Sequence, residues 1–515
     1  MPHILTKSNR RYVRLVNQLA TCNNLTLLVG AGAVIDAGLP SWPELVRCFL
    51  ENGFLAAIAR NEIARDGPSY VELADHFLKT QDVLAAATMG RYLHGDRRDL
   101  AIKEALYQEH KARPRAGRII NAIASIALTY GPRAGRTKLR IITTNYDDLI
   151  EHELIETLGL PLKIFVVDGT REPDEQLVAI HDDGADSIEI YHLHGYMPYG
   201  ENQPIFGSVI LDEKDFAVSA VRPPGQILPG VLTKYPTLFI GLSMTDPNLV
   251  AACFQQTGIH NPKELPWFGL FVKDVTTVPE VSTRYVQMRL DHMGIHPLSL
   301  ASFGQISQVL YEIILRAGDR NYWEDDSAGR YGLRFLNWRR AIEEKYPCAH
   351  GGDRYLDQQG QIHAELGNLV ESLLTGPLQD ADESEHLATH LWVRKPTETF
   401  LGELELWGSS AHLHREPWSL RSRTRTIEGD TGLGSVDSVY YAAIQRRNTA
   451  ADQDAHWQAQ ISVPIELDDI DGFENLIVGA VSLSSNKPMH RSALQDQADD
   501  VVEALHSFGK AFLTP

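Results

Sequence analysis

At 515 residues the chain is long enough for two or three domains, each with ample core. Its hydrophobic content of 43% and charged content of 22% are those of a soluble globular protein. A formal net charge of -19 argues against a broad nucleic-acid-binding face, which needs a basic excess, and no run of 18 apolar residues predicts a membrane span.

Residues 1–20 carry Lys7, Arg10, Arg11 and Arg14 without an apolar core, so they do not read as a secretory signal. The four cysteines, Cys22, Cys48, Cys253 and Cys348, lie far apart and form no C-x-x-C pair. This spacing fits a reducing, cytoplasmic setting and excludes a local zinc ribbon or finger.

The first strong element is the stretch LTLLVGAGAVIDAGLPSW, residues 25–42. Leu25 to Val29 reads as a buried parallel strand that breaks at Gly30-Ala31-Gly32, with a helix expected from about Pro43. Glycines at the carboxyl end of a strand let a backbone approach a pyrophosphate, and a following helix start offers N–H groups to it. The dinucleotide fingerprint G-x-G-x-x-G is incomplete, because Ile35 stands where its third glycine would be.

From 43 to about 128, apolar residues recur at three- and four-residue spacing, which predicts a helical subdomain inserted into an α/β core. Strands are expected at 139–144, 162–167, 188–193, 238–242, 268–272 and 295–298, with a helix over 146–156 and a closing helix over 302–317. This alternation predicts a Rossmann-like parallel sheet wrapped on both faces. Residues 318–360 read as a helical connector. Beyond it, a helix at 365–373, strands in HLWVRKP, LGELELW, AQISVPIEL and ENLIVGAVSLSS, and an amphipathic helix over 495–512 predict a smaller α+β domain. The charged runs 379–387 and 468–471 read as solvated loops.

Three further segments fall at the carboxyl ends of predicted strands, the rim where open α/β sheets bind ligands. In Thr143-Thr144-Asn145-Tyr146-Asp147, Asn145 offers both a donor and an acceptor, suited to orienting a water or a ribose hydroxyl; helix capping accounts for the segment taken alone. In His192-Leu193-His194-Gly195, two histidines point the same way along a strand, and one can act as a general base. A satisfied core histidine is the simpler account of one of them, and no third ligand at suitable spacing supports zinc. Phe239-Ile240-Gly241-Leu242-Ser243 ends a second apolar strand in glycine and small polar residues, with Thr245 or Asp246 placed to cap the next helix.

Taken together, GAG…AGLP, TTNYD, HLHG and FIGLSMTDPN resemble the sirtuin-like NAD-binding family over residues 25–317. The resemblance implies Asn145 and His194 as catalytic residues, and Gly30, Ala31, Gly32, Asp36, Thr144, Asp147, Gly241 and Ser243 as contacts to NAD, which is the substrate. Protein-deacylating sirtuins carry four zinc-binding cysteines after the catalytic histidine. Here residues 195–238 hold no cysteine, Ala33 and Val34 replace the deacylase Ile-Ser, and Ser41-Trp42 follow Pro40. The pattern therefore resembles the bacterial sirtuin-like proteins of anti-phage defence, which imply hydrolysis of NAD to nicotinamide and ADP-ribose, with no zinc. The carboxyl-terminal part, 361–515, resembles a GAF domain, a small-molecule sensor or an oligomerisation module, with Trp407 and Trp418 as candidates for pocket or core.

The resulting organisation is a hydrolase domain over 1–317, with its helical insertion at about 43–130, a connector over 318–360, and a GAF-like domain over 361–515. The expected partners are NAD, further copies of the chain, and a trigger that is a small molecule, a phage protein or a partner ATPase. A catalytically inactive NAD or ADP-ribose sensor and a zinc-free deacylase remain as alternative readings.

Overall fold

The computed structural model describes residues 10–64, 68–108, 110–130, 138–171, 175–184, 187–220, 232, 235–272, 280–300, 302–318, 330–346, 353–395, 403–411, 424–427, 434–448, 457–467, 476–495 and 497–514. Cys348, Trp418, Lys7, the acidic run 468–471 and parts of the expected connector lie outside these residues. Among the described residues, no helix is long and apolar enough to cross a membrane.

The chain divides into two compact units, one formed by Asn17–Phe271 with Arg284–Leu298, the other chiefly by Ser299 onward. Helix α1 (Arg10–Thr21), whose residues from Asn17 belong to the first unit, leads into β1 (Asn24–Val29), whose last five residues are all buried. Helices α2 (Trp42–Ala59), α3 (Tyr70–Thr80), α4 (Val83–His94), α5 (Arg98–Leu106) and α6 (Arg118–Tyr130) lie between β1 and the next strand in the chain. Strand β2 (Lys138–Thr143), the short helix α7 (Leu149–His152), β3 (Leu162–Val167), β4 (Leu177–Asp182), β5 (Ile188–His192), α8 (Glu213–Ala220), β6 (Thr237–Ile240), α9 (Pro247–Thr257), β7 (Trp267–Val272), α10 (Glu280–His292) and β8 (Ile295–Leu300) follow.

The eight strands form one sheet in the order β4-β3-β5-β2-β1-β6-β7-β8. The pairs among β3, β5, β2, β1, β6 and β7 are parallel, while β4 runs antiparallel on β3. Strand order reverses at β1, which lies between β2 and β6, and such a switch point opens a crevice beyond the carboxyl ends of the strands. All four segments singled out in the sequence leave the ends of the adjacent strands β5, β2, β1 and β6 and so share one rim.

Two local expectations change. The helix foreseen over 146–156 begins three residues later, at Leu149, because Asp147 and Asp148 are buried in non-helical backbone, and its second half, Glu153–Thr157, is wound as a π-helix. Strand β4 was not foreseen: it is a half-solvated edge strand whose apolar run, Leu177–Ile180, is only four residues long and runs into His181 and Asp182.

In the second unit, α11 (Gly304–Gly318), α12 (Arg330–Lys345) and α13 (Asp353–Thr375) precede β9 (Leu387–Lys395), β10 (Glu403–Ser409), β11 (Thr424–Thr426), α14 (Gly434–Tyr441), β12 (Gln445–Asn448), β13 (Ala459–Leu467), β14 (Leu476–Ser485) and α15 (Ala498–Leu513). The six strands are ordered β11-β10-β9-β14-β13-β12, with antiparallel pairs throughout. On one face Ile362 and Leu366 of α13 and Val501, Leu505 and Phe512 of α15 bury Leu391, Val463, Val481 and Trp407. On the other, Val436, Val439 and Tyr440 of α14 pack with Leu404, Ile477 and Ala480. Trp407 is fully buried and belongs to this core.

The rim of the parallel sheet depends on glycine. Gly30 N–H donates to the Ile240 carbonyl and Gly32 N–H to the Gly241 carbonyl, both at 2.9 Å. A Cβ on Gly30 would lie 2.8 Å from the Gly241 oxygen, and one on Gly241, whose φ is +64°, would lie 2.7 Å from the Gly32 carbonyl carbon. Gly241→Ala is therefore expected to cost about 2–4 kcal/mol, summing a left-handed backbone penalty and an overpacked contact. Chemical denaturation reads this directly; an unchanged midpoint would show that the two turns are not interlocked.

Candidate functional site

The loop after β1 does not lead straight into a helix. It makes two 3-10 turns, Ala31–Ala33 and Ile35–Ala37, before α2 begins at Trp42. The start of α2 is closed by its own capping box, with Ser41 N–H on the Glu44 carboxylate at 2.8 Å. Any anion at this rim therefore meets the glycine turns and not the first turn of α2. Asp36 points away from the loop: its Oδ2 accepts from Ile119 N–H at 3.0 Å at the start of α6, and its Oδ1 is sealed from solvent without a partner. Burial pushes this carboxyl up to about 6, against the opposing pull of the Ile119 amide and Arg118. Its observed partner is thus a helix start, as in a cap supplied from a distant loop.

After β2 the chain stays extended. Thr144 N–H continues the pairing to the Val29 carbonyl at 3.1 Å, and Asn145 N–H bonds Thr143 Oγ1 at 3.0 Å. Asn145 is 6% exposed, yet neither its Oδ1 nor its Nδ2 has a hydrogen-bond partner. An unmet buried donor or acceptor costs about 1–3 kcal/mol each, so a carboxamide left open at both ends is an anomaly that a ligand would remove.

The backbone of Asn145 is held from below. His192, fully buried at the end of β5, places Nδ1 3.2 Å from the Asn145 carbonyl and Nε2 2.6 Å from Glu151 Oε1. Both ring nitrogens face acceptors, which suits the doubly protonated ring. Burial opposes that charge, but the Glu151 carboxylate and the Asn145 carbonyl outweigh it and raise the pKa. His192 is the satisfied core histidine of the pair.

His194 lies two residues beyond the end of β5, so the alternation of a continuous strand does not set its direction. Its Nε2 is 3.1 Å from Asp246 Oδ2, and the residue is 7% exposed. The Asp246 carboxylate has two duties. Its Oδ1 caps α9 by accepting from Asn248 N–H at 2.8 Å and Leu249 N–H at 3.1 Å, while its Oδ2 faces His194. Burial pushes the carboxyl up, but His194 and the two amides more than reverse this and hold it below the usual value. A carboxylate can only accept, so Nε2 carries the proton and Nδ1 is left as the basic nitrogen. The sequence showed Asp246 as a helix cap; its pairing with His194 crosses from β6 to β5 and had no local signal.

Close to this pair, Ser243 Oγ and Thr245 Oγ1 are 2.6 Å apart, and Met244 between them is buried with φ +56°. A left-handed, non-glycine residue at the rim is the kind of backbone strain found at ligand sites. Asp147 is 4% exposed, with Oδ1 accepting from Leu149 N–H at 3.1 Å. Its neighbour Asp148, which sequence reasoning passed over, binds Arg113 at 2.5 Å and Tyr199 N–H at 3.2 Å. Thus Gly30, Gly32, Thr144, Asn145, His194, Gly241 and Ser243 belong to turns on one rim, whereas Asp36 and Asp147 turn to backbone amides. Among the described residues, no group of three or more His, Cys, Asp or Glu is arranged to hold a metal.

Residues 139–259 match the family described as a SIR2-like domain. The match runs from β2 past α9 and includes Asn145, His194, Gly241, Ser243 and Asp246, but neither the Gly30 loop nor the second unit. SIR2-like domains bind NAD, which points to an NAD-related activity for the matched segment at the level of the family only. No curated protein matches the chain.

Asp147 has a measurable consequence for stability. Burial, with the nearby Glu151 and Asp148 charges, raises its carboxyl to about 7 despite the Leu149 amide. Between the ordinary carboxyl range and about pH 7 the folded protein holds the extra proton, so stability from this group falls as pH rises through that window. Asp147→Asn keeps the acceptor for Leu149 and removes the charge. Its melting temperature is expected to exceed that of the parent above pH 7, with the gap closing toward pH 4; a lower value at pH 8 would contradict the burial argument.

Proposed function

We propose that the chain is a regulated NAD glycohydrolase that cleaves NAD to nicotinamide and ADP-ribose at the rim formed by β5, β2, β1 and β6. The observation that carries this reading is the Asn145 carboxamide, buried and unmet at both ends, on the same rim of the sheet as the His194–Asp246 pair. A carboxamide offers a donor and an acceptor to a ribose hydroxyl or an attacking water, and a histidine whose Nε2 is committed offers Nδ1 as general base. In the reaction, the bond between ribose C1′ and nicotinamide N1 breaks and its electron pair leaves with nicotinamide. Water forms the new C1′–O bond and gives its proton to His194 Nδ1. The developing positive charge on the ribose is favoured by the buried Asp246 carboxylate behind the ring.

The glycine turns at Gly30, Gly32 and Gly241 would present backbone without side chains to the phosphates; of the three, Gly241 lies within the SIR2-like segment. The resemblance to sirtuin-like proteins of bacterial anti-phage defence supports NAD depletion as the cellular outcome. Such an activity needs an off state, which we assign to an oligomer governed through the GAF-like second unit.

Nicotinamide release by purified protein, alone and with extract from phage-infected cells, tests the reading. Asn145→Ala and His194→Ala are each expected to lower release by about 10²-fold or more. Asp246→Asn keeps the α9 cap but turns an amide N–H toward Nε2, moving the proton to Nδ1, and is expected to lower kcat comparably with little change in KM. Release that persists in these variants would overturn the assigned roles. NAD binding without release under either condition would favour a sensor, and release dependent on an acyl-lysine peptide a deacylase.

A further inference from the structure

The ring of His194 is covered by a side chain to which the proposed chemistry gives no role. Phe216 of α8 stands edge-on to it, with ring centroids 5.4 Å apart and planes at 89°, and is itself only 7% exposed. The segment that carries Phe216 is fastened from several sides. Ile210 N–H donates to the His194 carbonyl at 3.1 Å, and Tyr146 Oη donates to the Ile210 carbonyl at 2.6 Å. Asp215 is paired with Arg91 of α4 and Arg98 of α5, and Asp212, whose side chain is fully buried, with Arg91. At the far end of α8, Asn248 Nδ2 donates to Ser219 Oγ at 2.6 Å, from the helix that Asp246 caps. Two arginines of the helical insertion and one asparagine of α9 thus hold a phenyl ring against the proposed base. A contact used only for packing would not need charged anchors drawn from two other helices.

We propose that Phe216 is an acceptor-selectivity residue: clamped against His194, it leaves room for water and excludes larger nucleophiles from the cleaved ribose carbon. The proposal rests on the glycohydrolase reading. With an alcohol as acceptor the balance is the same as with water: C1′–N1 breaks, nicotinamide leaves with the electron pair, the alcohol oxygen bonds C1′, and its proton passes to His194 Nδ1 and then to solvent. Methanol differs from water by one methyl group, and a pocket discriminates one such carbon by about 10-fold or more.

The test is the product ratio of methyl ADP-ribose to ADP-ribose when NAD is cleaved at a fixed methanol fraction. This ratio is set after the glycosidic bond breaks, so it does not depend on how much of a variant is folded. The parent protein is expected to give almost only ADP-ribose. Phe216→Ala is expected to raise the ratio about 10-fold or more, Phe216→Leu to raise it less, and Arg98→Met, which loosens the clamp, to raise it without touching the ring. A parent that partitions in proportion to the two solvents, or a Phe216→Ala protein that cleaves NAD with the parent's ratio, would overturn the proposal. Nicotinamide release absent from every protein while NAD binds would overturn the glycohydrolase reading and this proposal with it.

Discussion

The site depends on how closely two backbone turns can approach. Gly32 N–H meets the Gly241 carbonyl at 2.9 Å, and neither Gly30 nor Gly241 has space for a Cβ. That contact joins the ends of β1 and β6 at the place where the strand order reverses. Side chains there would push the strand ends apart and move Asp246, five residues after Gly241, out of reach of His194. Backbone proximity therefore comes first, and the histidine–carboxylate geometry follows from it.

Beneath the rim, polar groups divide into two kinds. His192, Glu151, Asp148 and Arg113 have partners of opposite charge within hydrogen-bond distance, and they fix the extended backbone around Asn145. A buried pair such as His192–Glu151 adds little net stability, because desolvation offsets most of its attraction, but it permits few arrangements. Asn145 stands apart, with a backbone fully engaged and a side chain that binds nothing in the protein. A scaffold that orders a residue this firmly while leaving its functional group open is organised for a ligand.

Most of the parallel sheet was legible in the sequence because its strands are buried on both faces and read as short apolar runs, as in Leu25–Val29 and Phe239–Ile240. The four rim segments were legible because glycine, asparagine and histidine mark strand ends. What escaped were long-range matters. The pairing of Asp246 with His194 joins two turns more than 50 residues apart in the chain, and the cap it makes on α9 hid its second role. Phe216 carried no signal in the sequence, since the segment that bears it is held by Arg91 and Arg98 of the helical stretch far away in the chain. The helix foreseen from Tyr146 starts only at Leu149, because tertiary burial of Asp147 and Asp148 overrides local propensity at its first turn. Strand β4 and the order of the six strands in the second unit depend on pairings that periodicity does not encode.

The measurement that bears most directly on this account is a calorimetric titration of NAD onto His194→Ala protein, with and without the additional Asn145→Ala change. With cleavage removed, binding alone is read. An open carboxamide that meets the ligand predicts NAD binding to the single variant and a loss of about tenfold or more in affinity in the double variant. Equal affinity in the two proteins, or no binding by the single variant, would contradict the claim that Asn145 is held open for NAD.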